Sequence, residues 1–292
     1  MTDVRLIGIV GAGPMGVGIA HVGARAGYDV VVHDIDAARL ATLPAALGAT
    51  FARQIKRGAI PDADARAAIA RVRTSTDIHS LGNCDLVIES VYEDEEIKRA
   101  LYASLKGVLK ADAILATDTS SISITRLAAA TDRASRFLGM HFMNPVPMME
   151  LVEIIPGIAT APDVTATATE VARRMGKTPV AAQDFPAFMV NRILAPMINE
   201  AIYVLYEGVG TVESIDTACK LGLHHPMGPL ALADFIGLDI FLSIMKVLHE
   251  GLHDQKYRPC PLLIKYVEAG WLGRKSGRGF YDYSVDPPKP TR

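Results

Sequence analysis

The sequence predicts an α/β protein with a Rossmann-type fold, in which a doubly wound, mostly parallel sheet with a helical insertion is followed by an all-helical second domain. Three observations support this prediction. Short apolar runs of β-forming residues alternate with helical patterns up to about residue 183. A glycine-rich turn follows the first of these runs, and strand patterns stop after Asp184. We therefore predict a nucleotide-binding domain over residues 1–183 and a helical domain over residues 184–292.

Seven apolar runs in the first domain have the length and composition of buried strands. They are Leu6 to Val10, Val30 to His33, Leu86 to Glu89, Ile114 to Thr117, Phe137 to His141, Leu151 to Ile155 and Pro179 to Ala182. Helical patterns fill the gaps between these runs. Two of the patterns, Arg39 to Gly58 and Asp62 to Val72, lie between the second and third runs and together exceed the length of one crossover. They predict a helical insertion that projects from the sheet.

The second domain is predicted to consist of four helices and a loose tail. The helical patterns are Ala187 to Glu207, Thr211 to Leu221, Ala231 to Glu250 and Pro261 to Ala269. The last residues, Pro287 to Arg292, predict a frayed end. Residues 185–206 are apolar enough to suggest a membrane span, but two charged residues and two prolines inside this stretch favour a buried helix kinked at Pro196. No membrane partner is predicted.

The glycine-rich turn has the spacing and the context of a dinucleotide-binding motif. Gly11 permits a tight turn, Gly13 lets the backbone approach a pyrophosphate, and Gly16 lets the next helix pack against the strand. The start of that helix, at Met15, offers amide donors and a positive dipole end to phosphates. Asp34 ends the second strand, where its carboxylate would bind the ribose hydroxyls of NAD and repel the extra phosphate of NADP. We predict NAD as the cofactor; a nearby arginine leaves NADP as the alternative.

Composition argues against several functional classes. The 292-residue chain has 30 basic and 32 acidic residues, so no nucleic-acid partner is predicted. Its three cysteines, Cys84, Cys219 and Cys260, are widely spaced with no histidine at ligand distance; we predict no metal site and expect reduced thiols in the cytoplasm. The adjacent His224 and His225 would diverge on any regular element and are expected in a loop. The N-terminus lacks the pattern of a signal peptide.

Four polar side chains near predicted strand ends or helix starts suit the oxidation of an alcohol by hydride transfer. His141 would accept the hydroxyl proton, and Glu153 on the neighbouring strand would fix the imidazole tautomer and balance its charge. Ser120 and Asn191 would hydrogen-bond to substrate oxygens. Each residue has a structural alternative. These alternatives are a hydrogen-bonded histidine at a strand end, an edge-strand carboxylate, a helix cap and a helix-to-loop hydrogen bond.

Segments along almost the whole chain resemble those of the L-3-hydroxyacyl-CoA dehydrogenases, most closely the short bacterial 3-hydroxybutyryl-CoA dehydrogenases. The segments are IVGAGPMG, DLVIESVYED, TDTSSISI, HFMNPVP, LVEI, FMVNRILAP, HPMGPLALADFIGLD and GRKSGRGFYDY. The resemblance implies that His141 is the general base, that Glu153 is its partner, and that Ser120 and Asn191 hold the substrate oxygens. It also suggests a homodimer formed through the helical domain.

The resemblance further assigns residues to the cofactor and to coenzyme A. It implies that Asp34 binds the adenosine ribose, while the nicotinamide half is lined by Glu93, Lys98, Ser120 and Asn144. It places coenzyme A along the helical insertion, at Thr50 and Arg57. Two positions depart from the family pattern. Asp118 replaces an asparagine and adds negative charge near the cofactor, and Ala187 replaces a glycine and restricts the start of the second domain.

The activity implied is that of an oxidoreductase of fatty acid metabolism, which interconverts a short (S)-3-hydroxyacyl-CoA and its 3-oxoacyl-CoA with NAD. Two alternatives remain open. One is a related dehydrogenase that acts on a hydroxyacyl group held by an acyl carrier protein. The other is a non-catalytic NAD-binding subunit, against which the presence of His141, Glu153 and Asn191 together argues.

Overall fold

A computed structural model of the protein describes residues 3–292. The chain divides into two compact units, of which the first ends at Phe185 and the second comprises Pro186–Arg292. The strands of the first unit are β1 (Leu6–Val10), β2 (Asp29–His33), β3 (Val72–Ser75), β4 (Leu86–Glu89), β5 (Ile114–Thr117), β6 (Phe137–Phe142), β7 (Leu151–Pro156) and β8 (Thr178–Ala181). Its helices are α1 (Pro14–Arg25), α2 (Ala37–Lys56), α3 (Asp62–Ala70), α4 (Glu95–Leu105), α5 (Ile124–Ala128) and α6 (Pro162–Arg174).

The first unit is built on one eight-stranded sheet in the order β3-β2-β1-β4-β5-β6-β7-β8. All neighbouring strands are parallel except β6 and β7, which are antiparallel. The central strands are almost entirely apolar because helices cover both faces of the sheet; Ile7 and Ile9 of β1 and Val87 and Ile88 of β4 are fully buried. The Rossmann-type fold predicted from the sequence is confirmed, and each predicted strand is present with its bounds shifted by at most one residue.

One strand of this sheet was not predicted. The helical pattern assigned to Asp62 to Val72 ends at Ala70, and Val72 begins the edge strand β3. This strand pairs on one side only, with β2, so its sequence Val-Arg-Thr-Ser lacks the apolar character of a buried strand. The helical insertion α2–α3 is therefore the connection from β2 to β3, and α2 buries four apolar side chains in the core: Leu40, Leu43, Leu47 and Phe51.

The second unit is mainly helical. Its elements are α7 (Val190–Tyr206), α8 (Val212–Gly222), α9 (Pro229–Ile236), α10 (Leu238–Leu252), α11 (Pro261–Glu268), β9 (Tyr281–Asp282) and β10 (Lys289–Pro290). Ile198 and Ile202 on α7 pack with Phe241 and Met245 on α10 and with Leu263 on α11 in one buried cluster. The spacing of four residues on α7 and on α10 is the pattern of a helical face directed to a core. Over residues 3–292, no helix has the length and hydropathy required to cross a membrane.

Three predictions for the second unit were wrong. α7 begins at Val190 because Ala187 and Phe188 have φ values of 59° and 52°, which are incompatible with a right-handed helix. The single helix predicted over residues 231–250 is two helices, α9 and α10, separated by Gly237 at a φ of 99°. The end predicted to be frayed, Pro287 to Arg292, instead contains a strand, Lys289–Pro290.

The C-terminal segment is held by two strands and a buried carboxylate. Lys289–Pro290 pairs antiparallel with Tyr281–Asp282. The side chain of Asp234, on α9, accepts hydrogen bonds from the amides of Phe280 and Tyr281. Burial raises the pKa of the Asp234 carboxyl to about 6, although these donors oppose the shift. A buried carboxylate therefore organises the residues just before the segment predicted to be frayed.

His21 makes the stability of the first unit dependent on pH. This side chain of α1 is buried, and its ring centroid lies 4.2 Å from that of Phe51 on α2. Burial lowers the pKa of His21 from 6.5 to about 4. Because the folded-state pKa lies below the unfolded value, the unfolded chain binds more protons between these two values. The neutral form of His21 therefore contributes its full share to the free energy of unfolding above pH 6.5, and this contribution is lost as the pH falls towards 4.

We expect His21→Leu to weaken this pH dependence. Between pH 7 and pH 5, protonation of His21 should lower the free energy of unfolding by about 2 kcal/mol, a contribution that the variant lacks. Urea denaturation of both proteins at the two pH values measures it. An equal loss of stability in the variant and in the original chain would contradict the assignment.

Candidate active site

The glycine-rich turn after β1 has the shape of a phosphate-binding loop. Gly11 has a φ of 107°, and a Cβ there would overlap the carbonyl oxygen of Ser90. A Cβ at Gly16 would overlap the carbonyl oxygen of Gly11, so only glycine permits this approach of α1 to the strand. At Gly13, by contrast, a Cβ would meet no atom within 4 Å. Space is therefore open beside the start of α1, where no side chain caps the helix.

Asp34, directly after β2, is joined to this turn. Its Oδ2 accepts a hydrogen bond of 2.7 Å from the amide of Ala12, and its Oδ1 accepts one of 2.9 Å from the amide of Asp36. Each carboxylate oxygen can accept a further hydrogen bond, such as one from a ribose hydroxyl. The open space at Gly13, the uncapped helix and this carboxylate fit a dinucleotide that carries no phosphate on its ribose 2′ oxygen.

His141 and Glu153 face each other across the antiparallel pair of strands β6 and β7. His141 Nδ1 lies 2.7 Å from Glu153 Oε2; the histidine is 6% exposed and the glutamate is fully buried. An ionised carboxylate only accepts hydrogen bonds, so Nδ1 carries the proton and Nε2 presents a lone pair. The strand register thus brings together the two residues that the sequence analysis assigned to proton transfer.

The serine loop, residues 119–121 after β5, is gathered around one oxygen of Glu93. Glu93 Oε1 accepts hydrogen bonds from the Thr119 hydroxyl at 2.6 Å, from the Ser120 amide and hydroxyl at 2.8 and 3.1 Å, and from Ser121. Burial alone would raise the pKa of Glu93, but the Lys98 ammonium and these donors outweigh it and hold the pKa below its usual range. Glu93 and Ser120, both predicted to line the nicotinamide half, are in direct contact.

Lys98 lies behind Glu93 in a buried polar network. Its ammonium is 2.6 Å from Glu89 Oε1 and 3.5 Å from Glu93 Oε2. Glu89 Oε2 accepts hydrogen bonds from the Tyr102 hydroxyl at 2.6 Å and the Thr117 hydroxyl at 2.8 Å. Burial lowers the pKa of Lys98, but the negative charges of Glu89 and Glu93 raise it above its usual value. Lys98 is 1% exposed, so its ammonium stabilises the negative charge of Glu93 from the protein interior.

Asp118 is the first residue after β5 and bridges the ends of the two strands beside it. Its Oδ1 accepts a hydrogen bond of 2.8 Å from the amide of Phe142, and its Oδ2 accepts one of 3.1 Å from the hydroxyl of Ser90. Burial raises the pKa of Asp118 to about 7, a shift that the charge of His141 and these donors oppose. The departure from the family pattern noted in the sequence thus introduces a carboxyl beside His141.

Five predicted site residues remain to be described. Met15 is half-buried at the start of α1, and Asn144 is exposed in the loop after β6. On α2, the hydroxyl of Thr50 donates to the Ala46 carbonyl and accepts a hydrogen bond from Arg53. Arg57 is exposed at the end of the same helix. Asn191 belongs to the second unit, where it is half-buried in the first turn of α7.

Sequence reasoning did not identify Glu89, Tyr102 or Thr117 as parts of the site. A usable signal existed for Glu89, because an acidic residue at the end of an otherwise apolar, buried strand requires a partner. Tyr102 and Thr117 carried no comparable signal. A tyrosine on a helix and a threonine on a strand are ordinary residues until the fold brings them to one carboxylate.

Removal of the Lys98 ammonium should destabilise the first unit strongly. In Lys98→Met, Glu89 would keep its charge in a buried site without its cation, which typically costs about 3–5 kcal/mol. Lys110→Met is the matched control, because its ammonium pairs with Asp85 at a partly exposed position and should contribute at most about 1 kcal/mol. The double variant Glu89→Gln/Lys98→Met should regain much of the lost stability. Additive losses measured by urea denaturation would contradict the coupling.

Comparison with known proteins identifies the family of the chain. Residues 6–185 match the family model of the 3-hydroxyacyl-CoA dehydrogenase NAD-binding domain, and residues 188–283 match that of the C-terminal domain. The chain is 60% identical over 289 residues to a 3-hydroxybutyryl-CoA dehydrogenase of Bradyrhizobium diazoefficiens, covering 99% of both chains. It is 50% identical to a probable 3-hydroxybutyryl-CoA dehydrogenase of Bacillus subtilis, covering 96% of this chain and 98% of the relative.

A solved structure gives the same result. The crystal structure of (S)-3-hydroxybutyryl-CoA dehydrogenase from Ralstonia eutropha superposes with a TM-score of 0.94 at 47% identity, covering 97% of this chain and all of the other. The family, the enzyme class and the NAD cofactor predicted from the sequence are confirmed. On its motifs, its fold and these relatives, the chain belongs to the 3-hydroxyacyl-CoA dehydrogenase family.

Proposed function

We propose that this protein is an NAD-dependent dehydrogenase of fatty acid metabolism that interconverts a short (S)-3-hydroxyacyl-CoA and its 3-oxoacyl-CoA, with 3-hydroxybutyryl-CoA as the reference substrate. The His141–Glu153 pair carries this proposal. It lies at the edge of the sheet where the parallel strands β1, β2, β4 and β5 also end, and where the glycine-rich turn and the serine loop begin. The names of the relatives in Bradyrhizobium and Ralstonia support the acyl chain length.

In oxidation, Nε2 of His141 takes the proton of the substrate hydroxyl as the C3–OH bond becomes a carbonyl. Bound NAD supplies the acceptor for the hydride that leaves C3. Glu153 holds the imidazole through Nδ1 and balances the positive charge that the ring gains. Ser120 and Asn191 hold the substrate oxygens so that the hydroxyl is directed at His141. In reduction, the protonated imidazole returns the proton to the substrate oxygen.

Different residues are assigned to the pyrophosphate, the adenosine ribose and the nicotinamide half of the cofactor. Gly11, Gly13, Met15 and Gly16 would receive the pyrophosphate at the start of α1, and Asp34 would bind the adenosine ribose. The negative charge of Asp34 favours NAD over NADP. The nicotinamide half is lined by Glu93, Ser120 and Asn144, and Lys98 acts on it through Glu93.

Coenzyme A lies along α2, at Thr50 and Arg57. The last turns of this helix also carry Arg53 and Lys56, so positive charge is concentrated where the phosphates of the coenzyme would bind. Within this scheme residues 1–183 form the cofactor domain, and residues 184–292 form the domain for substrate binding and dimerisation. A cytoplasmic location is supported by three free cysteines, of which Cys84 and Cys260 are buried.

A homodimer formed through the second unit accounts for its exposed apolar side chains. Leu221, Val209 and Ile193 are 82%, 74% and 68% exposed, and Leu223 and Ile240 are exposed as well. Sedimentation velocity at micromolar concentration should give twice the chain mass of 31.3 kDa. A species of the single-chain mass under these conditions would contradict the dimer.

Removal of the base should abolish turnover without loss of cofactor binding. In His141→Gln, kcat for oxidation of (S)-3-hydroxybutyryl-CoA should fall by about 10²–10⁴-fold. The affinity for NAD, followed by fluorescence titration, should change less than about threefold, since the pyrophosphate and ribose contacts are intact. His79→Gln, an exposed histidine of the same unit, is the control and should keep full activity. Unchanged turnover in His141→Gln would exclude this residue as the base.

The substrate assignment is tested by offering the acyl group on two carriers. Turnover with the CoA thioester and much slower turnover with the same group on an acyl carrier protein supports the proposal. Turnover on the carrier protein alone would identify the related biosynthetic dehydrogenase. Binding of NAD with no turnover of either substrate would identify a non-catalytic subunit.

A further inference from the structure

Asp118 is a carboxylate at the active site that the proposed mechanism does not use. It follows β5 and connects the ends of the strands on either side. One oxygen binds the amide of Phe142, the residue directly after His141, and the other binds the hydroxyl of Ser90, the residue directly after β4. The main chain that carries the proposed base is therefore held by Asp118 as well as by the strand register.

The charges around Asp118 come from three neighbouring elements. His141 on β6 interacts with it favourably when the imidazole is protonated, and the Lys98 ammonium on α4 does so as well. Glu89 at the end of β4 opposes the ionised form. Glu153 on β7 is hydrogen-bonded to His141 Nδ1, so Glu153 and Asp118 both interact with the positive charge of the protonated imidazole. The carboxyl of Asp118 thus belongs to a set of coupled acids and bases in a buried site.

We propose that Asp118 is a positioning residue that places a second carboxyl beside His141, so that proton uptake by the His141–Glu153 pair depends on whether Asp118 is ionised. The inference rests on the proposed function, since it concerns the base of that reaction. When ionised, Asp118 stabilises the imidazolium form of His141. When protonated, it keeps its hydrogen bond to the Phe142 amide but no longer attracts that charge.

The structure separates the charge of Asp118 from its hydrogen bonding. An asparagine has the same shape and can still accept the Phe142 amide, while its NH2 group can donate to the Ser90 hydroxyl. Asp118→Asn therefore removes the negative charge and retains both contacts. Because an opposite charge close to a titrating group shifts its midpoint by about 1 unit or more, the loss should be measurable in the titration of the pair.

The direct test is the NMR titration of the His141 imidazole in protein with no substrate added. In Asp118→Asn the midpoint should move to lower pH by about 1 unit, because the charge that favours imidazolium is absent. Asp118→Ser, which also removes the charge, should show the same direction of change. Asp112→Asn, an exposed carboxylate of the same unit, is the control for net charge and should leave the midpoint unchanged. A midpoint within 0.2 units of the original in Asp118→Asn and Asp118→Ser would overturn the proposal.

Kinetics supply a second measurement. With saturating NAD, the rise of kcat/KM for oxidation with pH should shift to lower pH in Asp118→Asn by the same amount, while the maximal kcat stays within about threefold. A merely structural role would lower kcat without moving the profile, and this result would also overturn the proposal. If the NMR midpoint moves but the original chain does not oxidise any 3-hydroxyacyl-CoA, the coupling stands and the proposed function fails.

Discussion

The buried ion pair of Glu89 and Lys98 is the constraint on which the active-site edge of the sheet depends. A carboxylate and an ammonium removed from water are tolerated only when every lone pair and proton has a partner. Glu89 meets this condition through Lys98, Tyr102, Thr117 and the amide of Val91. These partners come from α4, β5 and the loop after β4. The requirement to satisfy one carboxylate thus fixes the relative positions of three elements that build the site.

This edge of the sheet carries four carboxyl groups whose surroundings give them different roles. They are Glu89, Glu93, Asp118 and Glu153. Glu93 is held ionised by Lys98 and the serine loop, and so it orders the loop that carries Ser120. Glu153 is directed at His141 by the register of an antiparallel strand pair. Asp118 is half-buried and accepts hydrogen bonds from two donors, and desolvation raises its pKa to about 7, the range in which histidines titrate. The same functional group therefore serves as an ion-pair partner, a loop anchor, an orienting group and a coupled acid.

In the second unit, too, buried carboxylates position the elements that supply their hydrogen-bond donors. Asp216 on α8 accepts hydrogen bonds from the first amides of α9, at Leu230 and Ala231, and from the hydroxyl of Tyr281. Asp234 on α9 binds the amides of Phe280 and Tyr281. Two buried aspartates thereby connect two helices to the C-terminal strands. These directional hydrogen bonds fix the position of the C-terminal strands against the helices. Apolar packing alone does not have this directionality.

The sequence by itself determined the parallel sheet and the dinucleotide motif, because each of these depends on local composition or on a short, fixed spacing. It named His141 and Glu153 as candidates, and the antiparallel register of β6 and β7 then brought them together. Apolar runs of strand length and the glycine spacing can be seen along the chain without knowledge of its contacts. Only the tertiary structure decided the polar edge strand β3, the break at Gly237 and the anchored C-terminus. It also decided that Lys98 is buried beneath Glu93 and that Asp118 contacts the residue after His141. These features arise from hydrogen bonds and charges between residues far apart in sequence, whose energies exist only once the strands have been brought side by side.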